Sequence, residues 1–471
     1  MPRIPFIGSA YTLRTIRADC QNCINYFPEI IESGAGANNE GGVLLQVPGL
    51  RRLATIGTGP IRGVYFTSSG HLAVVSGAKL YAVSAAWVAT EVGTLRSTYG
   101  RVEMADNGVQ IILVDGDFGY ISSMVTGGLV QINQSDLPAC NRVTFQDGYF
   151  IVESKNTNQF AISALYDGMS WNALDFGVAE GLPDNVVAVV SNQRQLWVAG
   201  SKSMEVYWNS GDEFPFSRID GSFQEFGCAA PHSMQKVAGS VMWLTDSLHV
   251  VFADGYKPVR VSNHAVELAI RAAGDVSGAT AYSYKQDGHI FYCLKLPGAN
   301  STWVYDFFTK NWHERAEWIA GAWAKSRVDC CCDAYGEIVV GDSTDGRIYA
   351  YDFEMCSNDG DVLARERTAS HVANDLKRMI VQKFQLDIDG GHGLITGQGS
   401  IPQVMLQCSK DGGYTFGNEH WQPIGAIGNY RARAIFRQLG QARDWVFRIR
   451  VTDPVKANLL GADIDAIPGV N

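Results

Sequence analysis

Short apolar runs separated by Gly-, Ser- and Asp-rich turns fill most of the chain, and the pattern repeats. It starts at Ile61–Phe66, turns at Ser68-Ser69-Gly70, resumes over 71–75, turns at Ser76-Gly77 and resumes over Lys79–Val83. β-rich runs of this length bounded by turn residues read as hairpin-linked strands. The turn–strand pair returns at Asp106-Asn107-Gly108 with 109–114, Gln146-Asp147-Gly148 with 149–152, and Asn192-Gln193-Arg194 with 195–199. Three more copies are Ala238-Gly239-Ser240 with 241–244, Gln286-Asp287-Gly288 with 289–292, and Ala334-Tyr335-Gly336 with 337–340. Each is followed by a second turn and a strand that typically ends on an aromatic, as in Leu80-Tyr81, Val206-Tyr207 and Ile348-Tyr349.

Counted from residues 61, 101, 141, 187, 236, 280 and 320, the units lie 40 to 49 residues apart. Repeats of that period with up to four strands each mark a β-propeller. One blade cannot cover its own apolar faces; radial stacking buries them and leaves only short edges. The predicted fold is all-β: a β-propeller over 61–352, with seven blades, or six if one unit is an insertion, followed by a small C-terminal β-sandwich.

Residues 1–60 read as an irregular N-terminal arm. It has a flexible loop at Gly34–Gly42 and apolar anchors at Cys23–Pro28 and Leu44–Leu50. Such an arm packs on its own chain or reaches a neighbouring subunit. One helix is predicted, over 263–273, capped by Asn263 with Val266, Ile270 and Ala273 on one face. Residues 353–376, with Arg365-Glu366-Arg367-Thr368, are polar and weakly patterned and read as a linker. Strict alternation then appears at 384–389 and 445–451, where Trp445, Phe447, Ile449 and Val451 point inward and Arg448 and Arg450 outward. With 404–408, 434–439 and 459–464 these give a five-stranded, separate β-sandwich over 377–471.

At 471 residues the chain exceeds one ordinary domain, and its 50 glycines, 18% charged and 11% aromatic residues suit many turns joining buried strands. A net charge of −10 gives no reason to expect wrapping around nucleic acid. It is compatible with a surface past which DNA slides. MPRIPFIGSAY has no apolar core long enough for a signal peptide, and no run of about 18 apolar residues predicts a membrane span. Ten scattered cysteines fit reduced thiols from a cytosolic folding environment.

Candidate chemistry is sparse. Cys20-x2-Cys23 has the spacing of half a zinc site without a second half, and Cys330-Cys331-Cys332, contiguous in a strand, suits small buried hydrophobes. Nine dispersed histidines form no metal spacing, and neither a phosphate loop nor a nucleophile elbow is visible. Ser409-Lys410-Asp411-Gly412-Gly413-Tyr414-Thr415-Phe416 matches the Asp-box of sialidase propellers, with a degenerate copy at Tyr166–Trp171. That motif is a hairpin turn whose Asp binds backbone N–H groups; it marks a fold, not a catalyst. A sialidase also needs an arginine cluster and a Tyr/Glu pair at the propeller centre, which the sequence does not assemble. No catalytic residue, cofactor or metal is predicted.

Arg431, Arg433, Arg437, Arg443, Arg448 and Arg450 stand against a single acid, Asp444, in an otherwise acidic chain. They predict either a solvated face or, the reading favoured, a docking surface for an acidic partner.

The run Gly8-Ser9-Ala10-Tyr11, Arg17, Asp19, Gln21, Ile24-Asn25-Tyr26-Phe27-Pro28-Glu29 and Pro48-Gly49-Leu50 resembles the start of the packaged-DNA stabilisation proteins of short-tailed phages. These are tail hub or nozzle components of the Salmonella-phage type. Residues 261–267, 409–416 and 431–436, Leu439-Gly440, Arg443 and residues 451–456 resemble the same family, so the likeness is nearly full length. It implies a structural virion protein, not an enzyme, added after packaging and assembled in the host cytoplasm. It would form a ring of six copies below the portal and its adaptor, retain the genome, and anchor a needle, spikes or fibres. DNA would pass through without sequence-specific binding. It also implies a partner interface including Tyr11, Arg17, Asn25 and Pro28 beside the arginines. Two other classes compete: a carbohydrate-active propeller, sialidase-like or lectin, marked by acids and aromatics converging at the propeller mouth, and a peptide-binding host scaffold.

Overall fold

The computed structural model describes residues 3–32, 42–123, 127–375 and 377–469; most of the predicted Gly34–Gly42 loop lies outside them. Seven four-stranded antiparallel units follow one another along the described chain. The first comprises Ile61–Phe66, Leu72–Ser76, Lys79–Val83 and Ala89–Thr94. The next five begin at Glu103, Val143, Val186, Gln235 and Thr280. The seventh has three strands of its own, Val328–Ala334, Glu337–Asp342 and Arg347–Asp352. Its fourth is Gly49–Thr55, antiparallel to Arg347–Asp352. The innermost strand of each unit touches that of the next, and Val328–Ala334 returns to Ile61–Phe66, so the ring closes.

Local chemistry explains the hairpins. At Asp147-Gly148, Gln193-Arg194, Ala238-Gly239, Asp287-Gly288 and Tyr335-Gly336 both central residues have positive φ. That is the tight-turn geometry whose twist matches paired strands. The apolar clusters lie between blades. Ala73, Val75 and Leu80 of the first pack on Met104, Leu113 and Tyr120 of the second, and Ile61 and Val74 pack on Val339 and Ile348 of the seventh. Burial at about 25 cal/mol per Å² of apolar surface therefore accrues only when neighbours stack, which is why single blades do not fold alone.

The sandwich draws on both ends of the chain. One sheet is Tyr26–Ile30, Gly42–Gln46, Leu459–Pro468, Met379–Ile388 and Ala434–Ala442, with Arg3–Ile4 at its side. The other runs Cys20–Ile24, Arg365–Thr368, Asp444–Val451, Gln403–Ser409 and His420–Pro423. It continues into the sixth blade, where Ile24 lies parallel to Glu314. One apolar cluster spans Phe384, Phe447 and Trp445 of the sandwich, Tyr292 and Trp312 of blade six, and Val266 and Ile270 of the helix.

Three expectations change accordingly. The N-terminal 60 residues are not an irregular arm: they supply strands to both sandwich sheets and the closing strand of the seventh blade. The sandwich is not a separate C-terminal body, since it shares a sheet and a core with blade six. The polar 353–376 segment is not a linker, for Arg365–Thr368 is a wholly buried central strand. All five predicted sandwich strands are present. The helix runs His264–Ala272, with the Val266 N–H donating to Asn263 Oδ1 at 3.0 Å. Among the described residues no helix is long and apolar enough to cross a membrane.

Candidate functional site

The innermost strands surround an axial cavity of about 540 Å³ to which all seven contribute, including Tyr65, Glu103, Arg142, Val190, Lys236, Ser283 and Asp333. Glu103, Arg101, Arg142 and Asp106 of the lining are engaged with protein groups, while Lys236 and Asp333 are exposed. Glu103 Oε1 accepts from Arg142 Nη1 at 3.1 Å and Arg101 Nε at 3.2 Å, and lies 3.2 Å from His232 Nδ1. Burial alone would raise the Glu103 pKa, but Arg142, Arg101 and His232 together carry it well below the usual carboxylate range. Burial pushes His232 down, with Glu103 opposing. Arg142 Nη2 also donates to the Met234 carbonyl at 3.0 Å. Asp106, the next acid in the cavity, accepts from the Ser68 N–H at 2.6 Å, the Ser68 hydroxyl at 2.7 Å and the Gly108 N–H at 3.2 Å.

A glycosidase centre requires a proton-donating acid and a nucleophile facing a substrate. Here Glu103 is held ionised between two arginines, and Asp106 is committed to a turn. Tyr207 donates to Glu205 at 2.5 Å, but that pair is buried within the fourth blade, away from the cavity lining. The convergence that would mark a carbohydrate-active propeller is not what these residues form.

The densest polar arrangement is the strand Arg365–Thr368, between Cys20–Ile24 and Asp444–Val451. Arg365 donates to Gln46 Oε1 at 2.6 Å and to the carbonyls of Val455 and Asp453. On the same face of the strand, Arg367 donates to the carbonyls of Phe6, Ser9 and Asn22 and to Gln21 Oε1. Glu366, on the opposite face, accepts from Asn22 Nδ2 at 2.7 Å and Arg450 Nε at 2.9 Å, with Arg448 Nε 3.7 Å away. The N-terminal segment, the sandwich and blade six are thus keyed together by buried charge as well as by the apolar cluster they share. Hydropathy could not find this strand because its inward residues are ionic; the period-two alternation of Arg365, Glu366, Arg367 and Thr368 was the available signal.

The six predicted interface arginines do not form one surface. Arg431, Arg433, Arg437 and Arg443 are exposed on and beside Ala434–Ala442, in one sheet. Arg448 and Arg450 lie in the other sheet and are occupied: Arg448 stacks 3.5 Å over the Phe416 ring and Arg450 4.4 Å over Trp318. Asn25 and Pro28 are likewise internal. Asn25, at φ 57°, donates from Nδ2 to the carbonyls of Ala316 and Ala364 and accepts from the Ala316 N–H. Pro28 is buried opposite Leu44. Asn25 and Pro28 are buried within the protomer, and Arg448 and Arg450 make contacts inside it while staying partly exposed. Tyr11 is half-buried, paired with Gln21, and Arg17 is exposed.

The remaining motifs are structural. Asp411 accepts from the Thr415 N–H at 3.0 Å and Thr415 Oγ1 at 2.6 Å, as an Asp-box turn requires. Asp167 accepts from the Met169 N–H and the Ser170 hydroxyl in the degenerate copy. Cys20 Sγ, His371 Nε2 and Asp444 align like a thiol–imidazole–carboxylate relay, 3.7 and 2.9 Å apart. However, His371 Nε2 also lies 3.0 Å from the Ile16 carbonyl, and burial with Asp19 nearby raises the thiol pKa to about 11. A thiol so raised is a poor nucleophile. All ten cysteines are free, and no metal-holding group occurs among the described residues.

The fold defines an all-β propeller–sandwich protein. Two family models match it in chain order: bacteriophage P22 Gp10, beta-propeller, over residues 22–356, and bacteriophage P22 Gp10, beta-sandwich, over 364–466. Together they span most of the sequence, and the chain belongs to this phage stabilisation-protein family. Among curated proteins no sequence matches. Solved structures similar to it include the WD40 propeller domain of Doa1 (13% identity, TM-score 0.41, covering 64% of this chain and 98% of that one). Another is the propeller domain of Myceliophteria thermophila Cps50 (Swd1) (9% identity, TM-score 0.43, with the same coverage of each chain).

Proposed function

We propose that this chain is a structural tail component of a short-tailed phage. Six copies form a ring below the portal and its adaptor, hold the packaged genome in the head, and anchor spikes, fibres or a needle distally. Assembly takes place in the host cytoplasm and the protein ends in the virion. The observation that supports this best is the buried ionic strand Arg365–Thr368. It makes propeller and sandwich one body, and a subunit that bears the load of a pressurised genome needs such stiffness. Glu103 of the cavity is held by Arg142 and Arg101 instead of facing a substrate, and the net negative chain suits a conduit that does not hold DNA.

The test is electron microscopy of the purified protein mixed with portal and adaptor. A sixfold ring at the adaptor, together with retention of DNA in particles that contain it, is the expected result. A protein that stays monomeric and hydrolyses a sialoside, with activity lost in Glu103→Gln, would overturn it.

A further inference from the structure

The far end of the sandwich is unusual for a soluble surface. Loops 389–402 and 424–433 pack together there: the Gly428 N–H donates to the Gly391 carbonyl at 3.0 Å, and the His392 and Tyr430 rings are 6.2 Å apart. The tip they form leaves Ile395 84%, Ile401 65%, Ile427 62% and Tyr430 71% exposed. Scattered exposed apolar residues are ordinary, but four large ones on one small tip are characteristic of a contact surface. Arg431 and Arg433 stand beside them, where with Tyr430 they line a cleft of about 840 Å³. Of the acids lining that cleft, Asp387 pairs with Arg3 and Asp389 with His392, while Asp463 shares the cleft; among the described residues neither arginine has an ion pair.

A complementary surface lies on the same molecule. Residues 167–184 and 209–225, which contain the outer strands of blades three and four, carry eight acids and one base. The two edges adjoin: Phe214 of the loop before Phe216–Arg218 packs on Phe160 of blade three at 6.0 Å, and Tyr207 Oη donates to the Val178 carbonyl at 3.2 Å. Asp212, Glu213 and Glu180 are exposed there, beside Leu174 at 80% and Trp208 at 49%. Exposed apolar and acidic residues thus share the edge of blades three and four, and exposed apolar residues stand with arginines at the sandwich tip.

We infer that the sandwich tip of one copy docks on the outer edge of blades three and four of the next copy. The inference rests on the proposed ring and names the contact that builds it. Two different patches of one chain that fit each other make a head-to-tail contact, the kind that closes rings. Copies with a net charge of −10 repel overall, so a local basic tip sets the orientation in which they meet. Duplex DNA fits the tip less well, because four apolar side chains gain nothing from phosphate.

The test uses the full chain and native mass spectrometry. Arg431→Glu with Arg433→Glu, and separately Asp212→Lys with Glu213→Lys, should each weaken ring formation by about a hundredfold or more, as juxtaposed like charges require. Mixing the two variants should restore rings of alternating composition, since each reversed tip then meets a reversed edge. That rescue also shows that neither variant is merely misfolded. Rings that persist in both variants, or a mixture that fails to reassemble, would overturn this contact and leave the ring itself standing. A wild-type chain that forms no ring even with portal and adaptor would overturn both. Loss of duplex DNA binding in Arg431→Glu with Arg433→Glu, with rings intact, would make the tip a nucleic-acid surface and end the inference.

Discussion

Replacing Glu366 with Gln tests whether buried charge really locks the sandwich to the propeller. The side chain is 2% exposed and its acceptors are shared among Asn22, Arg450 and Arg448. Gln keeps the shape but strands the Arg450 guanidinium, whose side chain is 17% exposed. Removing one partner of a buried pair costs about 3–5 kcal/mol. Arg450 retains its stack on Trp318 and a contact with Glu419 at 3.9 Å, so about 2–3 kcal/mol is the net expectation. Hydrogen exchange followed by mass spectrometry reads the local free energy. Protection of Arg365–Thr368 and Asp444–Val451 should fall about 30- to 150-fold. Glu91→Gln is the internal control: its pair with Lys79 is about half exposed on both sides, and its loss should change stability by no more than about 0.5 kcal/mol. A cycle with Arg450→Met should show coupling on the order of 1–3 kcal/mol. Equal effects of Glu366→Gln and Glu91→Gln would refute the reasoning.

Three further outcomes are expected. The Asp306 hydrogen bond, with Glu29, lifts His289 from 6.5 to about 9. This raised folded-state pKa stabilises fully below about 6.5 and is lost as pH rises through about 9, a loss on the order of 3 kcal/mol that His289→Gln should abolish in alkaline melts. Burial depresses His313 to about 3, and among the described residues neither ring nitrogen has a hydrogen-bond partner. Stability should therefore fall as pH drops from about 6.5 toward 3, because the unfolded chain takes up the proton first; His313→Phe should flatten that acid limb and add about 1 kcal/mol at neutral pH, read by denaturant titration. At Gly49 an added Cβ would sit 2.4 Å from the Met355 carbonyl oxygen and 2.5 Å from that of Ser357. Gly49→Ala should cost about 1–3 kcal/mol and lower the melting temperature, since the closing strand of blade seven cannot shift without losing its register.

What could be read in the sequence was whatever the backbone states locally. Turn pairs such as Asp287-Gly288 declare their positive φ through residue type, and Val241–Leu244 or Trp445–Val451 declare burial through hydrophobicity; blades and sandwich strands were legible for that reason. Two things were not. Gly49–Thr55 joins a blade whose other strands begin almost 280 residues later, and no local pattern carries a pairing of that separation. The second was the sign of burial at charged positions. Arg448 and Arg450 alternate with apolar neighbours and so read as solvent-facing, yet Trp318, Phe416 and Glu366 cover them. Asn25 looks like an ordinary polar residue until its three hydrogen bonds to Ala316 and Ala364 are seen.

These two blind spots are physically the same feature. A propeller closed by a strand from the far terminus needs that terminus fixed; the N-terminal segment buries Phe6, Cys23, Tyr26 and Phe27, and with them the polar groups Gln21, Asn22 and Asn25, which need partners of their own. The chain supplies partners for Gln21 and Asn22 from Arg365–Thr368 and for Asn25 from Ala364 and Ala316, and buries the set together. Ring closure and the buried ionic strand therefore depend on one another. Loss of Glu366 should consequently loosen not only the sandwich but also the edge at Gly49–Thr55, and protection there should fall in step with protection at Arg365–Thr368. If the closing strand stayed fully protected while the ionic strand opened, the two would be independent, and the protomer would be two bodies instead of one.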